Sequence, residues 1–447
     1  MRGLRWWIAG LLMLATIVNY IDRQCLGVAS TEIKSDLEMD SETYSYVVSA
    51  FLITYGLMQP VVGRLMDWLG TRLGFMLAVC WWSVANMLHG LAGSWQSLAF
   101  FRVLLGVGEA GNFPGSVKTI GEWFPPRQRT IGTGIFNSGA SIGVVVAGPL
   151  VALILWKMNW RMAFVITGSL GFIWVAVWAI LYRPFEKHPW LTAKERQFVL
   201  EGQKELEVAD VPPVRFEWRL ITAQNGLVGL AWTLFLAEAR TWWPIVSQRN
   251  FWGIAVTRFL AEPAWQFIMF FLPPFLREEL GLTLGQFAFW GILPYVAADL
   301  GCLFGGFLPP IFQKMGLGVM AARKASAASA AIMMMGVGMT VFAPTAPLVV
   351  LCVSIGLFAH QTLASTLLTL PADLFPKRIA GAAYGLAGTV GYLGGALFIM
   401  IAGYVIKHFG YNPMWATIAF MDVVGVTLLW LIIRAPKLAS EPATVKA

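Results

Sequence analysis

The chain has 447 residues, 57% of them hydrophobic and 13% charged, with 21 Trp and 30 Phe, and its mean hydropathy is +0.67. Water-soluble chains carry about 25% charged residues, so this one has too little polar surface to face water, and its main solvent is lipid. The net charge of +8 then reads as the Lys/Arg excess of cytoplasmic loops and not as a nucleic-acid footprint.

A helix needs about 20 apolar residues to cross about 30 Å of hydrocarbon. In chain order such runs lie near 6–27, 44–66, 73–93, 95–117, 130–155 and 160–182, then 251–276, 285–312, 323–343, 346–369, 380–406 and 411–434. The first has basic flanks but no small-x-small cleavage site, so a retained span is expected and not a removed signal peptide. The expected architecture is an all-α membrane protein of twelve transmembrane helices. Two six-helix bundles, 1–182 and 251–434, would be joined by a cytoplasmic linker at 183–250 and followed by a cytoplasmic tail at 435–447.

Leu220 to Ala237 is uncharged and long enough to be a thirteenth span. Crossing there would carry Lys314, Arg323, Lys324, Lys377 and Arg378 outside. Twelve crossings with both termini inside leave only Lys34, Lys157, Arg161, Arg277 and Lys407 on that side. The segment is therefore expected to be a cytoplasmic or interfacial helix.

The four cysteines (Cys25, Cys80, Cys302, Cys352) lie far apart in apolar runs without CxxC spacing, which indicates neither a disulfide framework nor a zinc site. No phosphate-cradling loop, metal-ligand cluster or nucleophile triad is present in the sequence. The expectation is no enzyme, no cofactor, no metal and no nucleic-acid partner.

The halves repeat. Glu122-Trp-Phe-Pro-Pro-Arg127 after the fourth span returns as Asp373-Leu-Phe-Pro-Lys-Arg378 after the tenth, an offset of 251, and Trp6-Trp-Ile-Ala9 is echoed by Trp252-Gly-Ile-Ala255. The Gly-rich fifth span has a counterpart in the eleventh, where small residues let helices approach closely. Two parallel six-span repeats with a midplane site between them resemble the major facilitator superfamily. Gly63-Arg-Leu-Met-Asp-Trp-Leu-Gly-Thr-Arg72, linking spans two and three, resembles that superfamily's gating motif. The resemblance implies that Gly63, Asp67, Gly70 and Arg72 clamp cytoplasmic helix ends in the outward-open state.

An ionised side chain at the centre of a span costs about 2.5–3.5 kcal/mol, so each must face a cavity or a partner. Span one ends in Asn19-Tyr20-Ile21-Asp22-Arg23; span four carries Arg102, Glu109 and Asn112. Arg102 and Glu109 are two turns apart, on one side of their helix and about 10 Å apart along it. Tyr20 and Arg23 share a face at i, i+3, leaving Asp22 to face another helix. Guanidinium groups in a low-dielectric cavity match a carboxylate with paired donors, which favours an anionic substrate. Asp22 and Glu109 are candidate proton carriers, and the alternative is that the four charges only neutralise one another.

The second half offers Arg258 and Glu262, whose spacing suits an intrahelical pair or substrate contact equally, together with Asp299 and Asp422. Asp422 stands outside any cluster and reads as structural. His360 and Gln361 interrupt the tenth span and could bind sugar hydroxyls. His360 could instead carry a proton or make an interhelical hydrogen bond. Tyr55 and Asn137 have similar standing.

Gly3-Leu-Arg-Trp, Gly93-Ser-Trp, Phe251-Trp-Gly-Ile-Ala, Arg258-Phe-Leu-Ala-Glu-Pro-Ala-Trp265, Ala298-Asp-Leu-Gly-Cys302 and Ala359-His-Gln361 resemble the hexuronate transporters of the superfamily's anion:cation symporter branch. The resemblance covers nearly the whole chain and implies import of glucuronate or galacturonate with protons, across the inner membrane. It implies substrate contacts at Tyr20, Arg23 and Tyr55 and proton coupling at Asp22 and Glu109. Two positions depart from the aldonate-transporting relatives. Ser138-Gly-Ala-Ser141 replaces a cavity-lining Gln, and Gly388 stands near an expected Asn, which weakens an assignment to open-chain acids.

The expected partners are a small anionic sugar acid, protons and membrane lipid, and the expected state is a monomer. The competing functions are symport of another sugar acid or organic anion, and export or antiport of organic ions. A sensor that binds without transport is the third, but the linker and tail are too short for an effector domain. Three arginines argue against a cationic-drug pump.

Overall fold

The computed structural model describes residues 3–204, 242–375 and 377–434, and every regular element among them is helical. The stretch Leu220 to Ala237 lies outside the described residues. Eleven helical segments are long and apolar enough to cross a membrane, and they coincide with eleven of the twelve expected spans.

The exception is the fourth span, and the reason is local. It consists of two shorter helices, α5 (Trp95–Glu109) and α6 (Asn112–Trp123), which meet at Ala110 and Gly111. Pro114 has no N–H to give to the Ala110 carbonyl four residues back, so the helical ladder is interrupted there. The break falls directly after Glu109, and the two helices together cover the expected run.

The remaining helices of the first half are α1 (Leu4–Val28), α2 (Ser30–Asp36), α3 (Ser41–Leu69), α4 (Thr71–Leu88), α7 (Pro126–Lys157), α8 (Trp160–Leu181) and α9 (Ala193–Lys204). Helix α1 packs on α7 and α8, α3 on α5, and α4 on α5 and α8. The second half contains α10 (Arg249–Pro274), α11 (Leu284–Trp290), α12 (Leu293–Lys314), α13 (Val319–Met334), α14 (Ala346–Leu374), α15 (Lys377–Phe409) and α16 (Asn412–Ile432). Here α10 packs on α15 and α16, and α14 on α12 and α13.

The sequence repeat has a structural counterpart. Glu122, at the end of α6, accepts a hydrogen bond from Thr71 at the start of α4 (2.7 Å). Asp373, at the end of α14, pairs with Arg323 near the start of α13 (3.1 Å). In each half a carboxylate ties one span to the start of the span before it.

Helix α3 runs against α15 between the halves, α1 meets α10, and α7 meets α11 and α12. The cross-links gather on the face opposite the N-terminus. Arg277, in the π-turn that follows α10, holds both oxygens of Glu32 at 2.6 and 2.8 Å. Lys34 pairs with Glu278 at 2.6 Å, and Lys407 reaches Asp40 and Glu42 at 2.8 Å each. Tyr44 donates to the Phe270 carbonyl at 3.1 Å and Ser49 to that of Ala396 at 2.9 Å. This end is closed by polar contacts from both halves.

Candidate functional site

The charged residues singled out in spans one and four converge inside the first half. Arg23 and Glu109 form an ion pair, Nε to Oε2 at 2.6 Å, with both side chains almost fully buried. The Arg23 guanidinium lies 4.1 Å from the Tyr55 ring centre, 5.0 Å from Tyr20 and 5.1 Å from Phe51. These aromatic faces support a cation that has left water. Asp22 points the other way, toward α4 and α8. It accepts from Asn86 Nδ2 at 2.7 Å, and that same amide reaches Thr167 Oγ1 at 2.9 Å.

Glu109 is placed there by glycine. A Cβ on Gly108 would come within 2.6 Å of the Trp81 ring and 2.8 Å of the Trp82 backbone nitrogen. Only a residue without a side chain lets α5 lie so close to α4. The Gly106–Gly108 run is thus a packing device beside the carboxylate.

Arg102 is the outlier. It is 0% exposed, and among the described residues none of its three guanidinium nitrogens has a hydrogen-bond partner. Phe51, 5.5 Å away, is its nearest ring, and Asp22, Arg23 and Glu109 are within its electrostatic reach. A buried guanidinium left without hydrogen bonds is costly, because its desolvation is not repaid. An arriving carboxylate or water would supply the missing acceptors.

Asn112 begins α6 and donates to Thr16 on α1 at 3.2 Å. Asn137 is half-buried on α7 and takes no part in these bonds. The Tyr55 ring lies 4.7 Å from that of Tyr392 of α15, the two planes tilted by 57°, so the Arg23 cage touches the other half of the molecule.

In the second half, Arg258 and Glu262 lie 3.6 Å apart on α10. Gln266 donates to the same carboxylate at 3.0 Å, and the Arg258 guanidinium lies 4.9 Å from the Tyr384 ring. A Cβ on Gly388 would sit 3.3 Å from Arg258 Nη1, so glycine there leaves the guanidinium its space. His360 of α14 faces Asp422 of α16 at 3.4 Å, Nδ1 to Oδ2. Gln361, its neighbour, is half-buried.

The segment from Gly63 to Arg72, expected to gate, joins α3 to α4. Gly70 carries φ +76° where the two helices meet, a conformation that suits glycine. Arg72 donates to the Ala179 carbonyl at 2.7 Å, and Gly63 packs on Pro114. The side chain of Asp67 lies outside the described ones. A cavity of about 940 Å³ opens beside this segment, lined by Arg72, Lys118, Glu122, Arg129 and Tyr182 among others. It is at the end of the helices and apart from the charge cluster.

Sequence reasoning missed Asn86, Thr167 and Tyr392, and it set Asp422 aside. Asn86 was detectable as the lone amide in an apolar third span. Tyr392 and Thr167 differ from ordinary helix-packing residues only through their neighbours in space.

The family model described as Major Facilitator Superfamily matches residues 12–399. The chain is 34% identical over 434 residues to the hexuronate transporter of Escherichia coli K12, covering 97% of this chain and 95% of that one. It is 34% identical over 338 residues to the galacturonate transporter of Dickeya chrysanthemi, covering 75% and 91%. The D-galactonate transporter of Escherichia coli O6:H1 is 26% identical, covering 95% and 94%. Among solved structures, the inward-open xylose transporter XylE from E. coli superposes with a TM-score of 0.69 at 13% identity, covering 97% of each chain. An inward-facing bacterial homologue of the lysosomal transporter Spinster gives 0.67 at 18%, covering 97% and 96%.

Proposed function

The chain belongs to the major facilitator superfamily, and from that premise we propose that it imports hexuronates, glucuronate or galacturonate, by proton symport through alternating access. It is a multi-pass membrane transporter and not an enzyme. In this reading it sits in the inner membrane as a monomer with both termini cytoplasmic, and its two six-helix bundles, 1–182 and 251–434, rock about a shared site. The described state, closed opposite the N-terminus, is then inward-facing.

The observation that carries the reading is the buried Arg102 guanidinium, without hydrogen-bond partners among the described residues, within electrostatic reach of the Arg23–Glu109 pair. Asp22, Arg23, Arg102 and Glu109 sum to zero when both carboxylates are ionised. A uronate carboxylate brings one negative charge, and one proton on Asp22 or Glu109 restores neutrality. A proton on Glu109 also weakens its hold on Arg23, freeing a planar donor pair for the substrate. Arg23 and Arg102 thus take the carboxylate, while Tyr20, Tyr55, Asn112 and Asn137 line its surroundings. Arg258 and Gln361 meet the sugar from the other half. The similarity to a hexuronate and a galacturonate transporter supports this substrate class over others.

The test is uptake of labelled D-glucuronate and D-galacturonate into proteoliposomes, with and without an inward proton gradient. Accumulation that depends on the gradient is expected. Equilibration without accumulation would remove proton coupling; uptake of aldonates but of neither uronate would remove the substrate.

A further inference from the structure

The sequence leaves His360 three readings, a contact to sugar hydroxyls, a proton carrier or an interhelical hydrogen bond, and its charged partner is Asp422, inside the second bundle. Three observations give the pair a role. The first is its place in the internal repeat. His360 follows Glu109 by 251 residues, the same offset that relates Asp373 to Glu122. The residue that the second half holds in register with the proposed proton carrier of the first half is therefore itself titratable.

The second observation is the environment. Asp422 is fully buried and His360 is 5% exposed. Nδ1 lies 3.4 Å from Asp422 Oδ2, and Asp422 Oδ1 has no hydrogen-bond partner among the described residues. The Trp265 ring of α10 lies nearly parallel to the imidazole at 6.4 Å, and Trp265 meets Tyr295 of α12 edge-on at 6.1 Å. The pair thus bridges α14 and α16 against an aromatic wall.

The third observation is charge. Among the described residues, the other ionised groups that act on His360 are Glu262 and Arg258 of α10, which pair with each other and are of opposite charge. With a proton on the imidazole, His360 and Asp422 also cancel; without it, one negative charge remains in an apolar bundle. Histidine is the side chain suited to bind and release a proton near neutral pH.

We propose that His360 and Asp422 form a further proton-binding site, in the second bundle, so that each half of the transporter carries protons of its own. The proposal rests on the proton-symport reading above. One proton binds the imidazole in one orientation of the bundles and leaves it in the other. Asp422 is the positioning residue that holds Nδ1 and balances the charge.

The test is the proton-to-substrate ratio, obtained from reversal potentials in proteoliposomes for the wild type, His360→Gln and Asp422→Asn. Both variants are expected to exchange labelled D-galacturonate in counterflow and to lose one proton per substrate from the wild-type ratio. An unchanged ratio in a variant that still exchanges substrate overturns the proposal while leaving symport intact. A wild type that moves no protons overturns the symport reading and this one with it. Should neither variant reach the membrane folded, wild-type protein labelled with 13C-histidine decides. The chain has only four histidines, and the buried His360 signal must change protonation state between the substrate-free and galacturonate-bound forms. A signal that stays in one state from pH 5 to 9 in both forms overturns the proposal.

Discussion

Replacing Glu109 by glutamine removes one charge from a set of four and leaves the Arg23 bond an acceptor. Deleting a partner from a buried pair costs about 3–5 kcal/mol, but the glutamine carbonyl still meets Arg23 Nε, and three aromatic faces remain around the guanidinium. The fold should survive, and the share of the coupling that Glu109 carries should not. A pH difference of one unit supplies about 1.4 kcal/mol per proton, and 100 mV supplies about 2.3 kcal/mol per charge. With one proton per uronate, transport is electroneutral and accumulation reaches about tenfold under a one-unit gradient. With two, the potential helps, and the same conditions give about 5 kcal/mol, several thousandfold at the limit. A variant that moves the anion alone works against the potential and excludes substrate by about fifty-fold. Steady-state uptake of D-galacturonate by Glu109→Gln, set beside counterflow exchange with no gradient, separates these cases. Accumulation at the wild-type level with exchange intact would refute the assignment of Glu109 as a coupling site, whatever became of the fold.

Arg23→Lys should weaken substrate binding by about 10- to 150-fold, the value of a charge-assisted bond of about 1.5–3 kcal/mol, because an ammonium cannot offer the planar pair; binding calorimetry checks this. Arg102→Met should abolish uptake of labelled D-galacturonate, because it removes a buried guanidinium that has no hydrogen-bond partner among the described residues and that a substrate carboxylate would meet; uptake at the wild-type level would show that Arg102 is structural. Gly108→Ala should cost about 1–3 kcal/mol of overpacking against Trp81 and Trp82, read as a lower melting temperature. Arg277→Ala should open the end opposite the N-terminus, seen as a longer distance between spin labels at 31 and 282. The Asp40 link there should ignore pH between 5 and 8. Burial pushes the Asp40 carboxyl up, but bonds from Lys407 and Thr43 overcome it and hold it down at about 2. Its contribution is therefore complete above the ordinary aspartate value and fades only as pH falls toward 2.

Hydropathy made eleven spans legible because a lipid solvent imposes length and apolarity on each crossing independently of the others. It located the fourth as well, but the break within it depended on Pro114 and the glycines, which hydropathy does not read. Helical spacing placed Tyr20 with Arg23 and turned Asp22 away, and the structure has that geometry: a guanidinium over one ring and a carboxylate on Asn86. Spacing is silent about partners on other helices. The direct bond from Arg23 to Glu109 spans 86 positions of sequence, and Asp422 read as solitary because its partner lies 62 residues away. Arg258 was left between two readings, and distance favours the intrahelical pair without deciding what a substrate does to it. The repeat offers a way past this limit. An offset fixed by one recognisable motif aligns positions that share no identity, and it sets Glu109 beside His360 although one is an acid and the other a base. Chemistry that duplicates in register can diverge in residue type while keeping its function, provided both types bind a proton. For a molecule built of two halves, comparing each charged position with its own counterpart therefore recovers information that a search for matching residues discards.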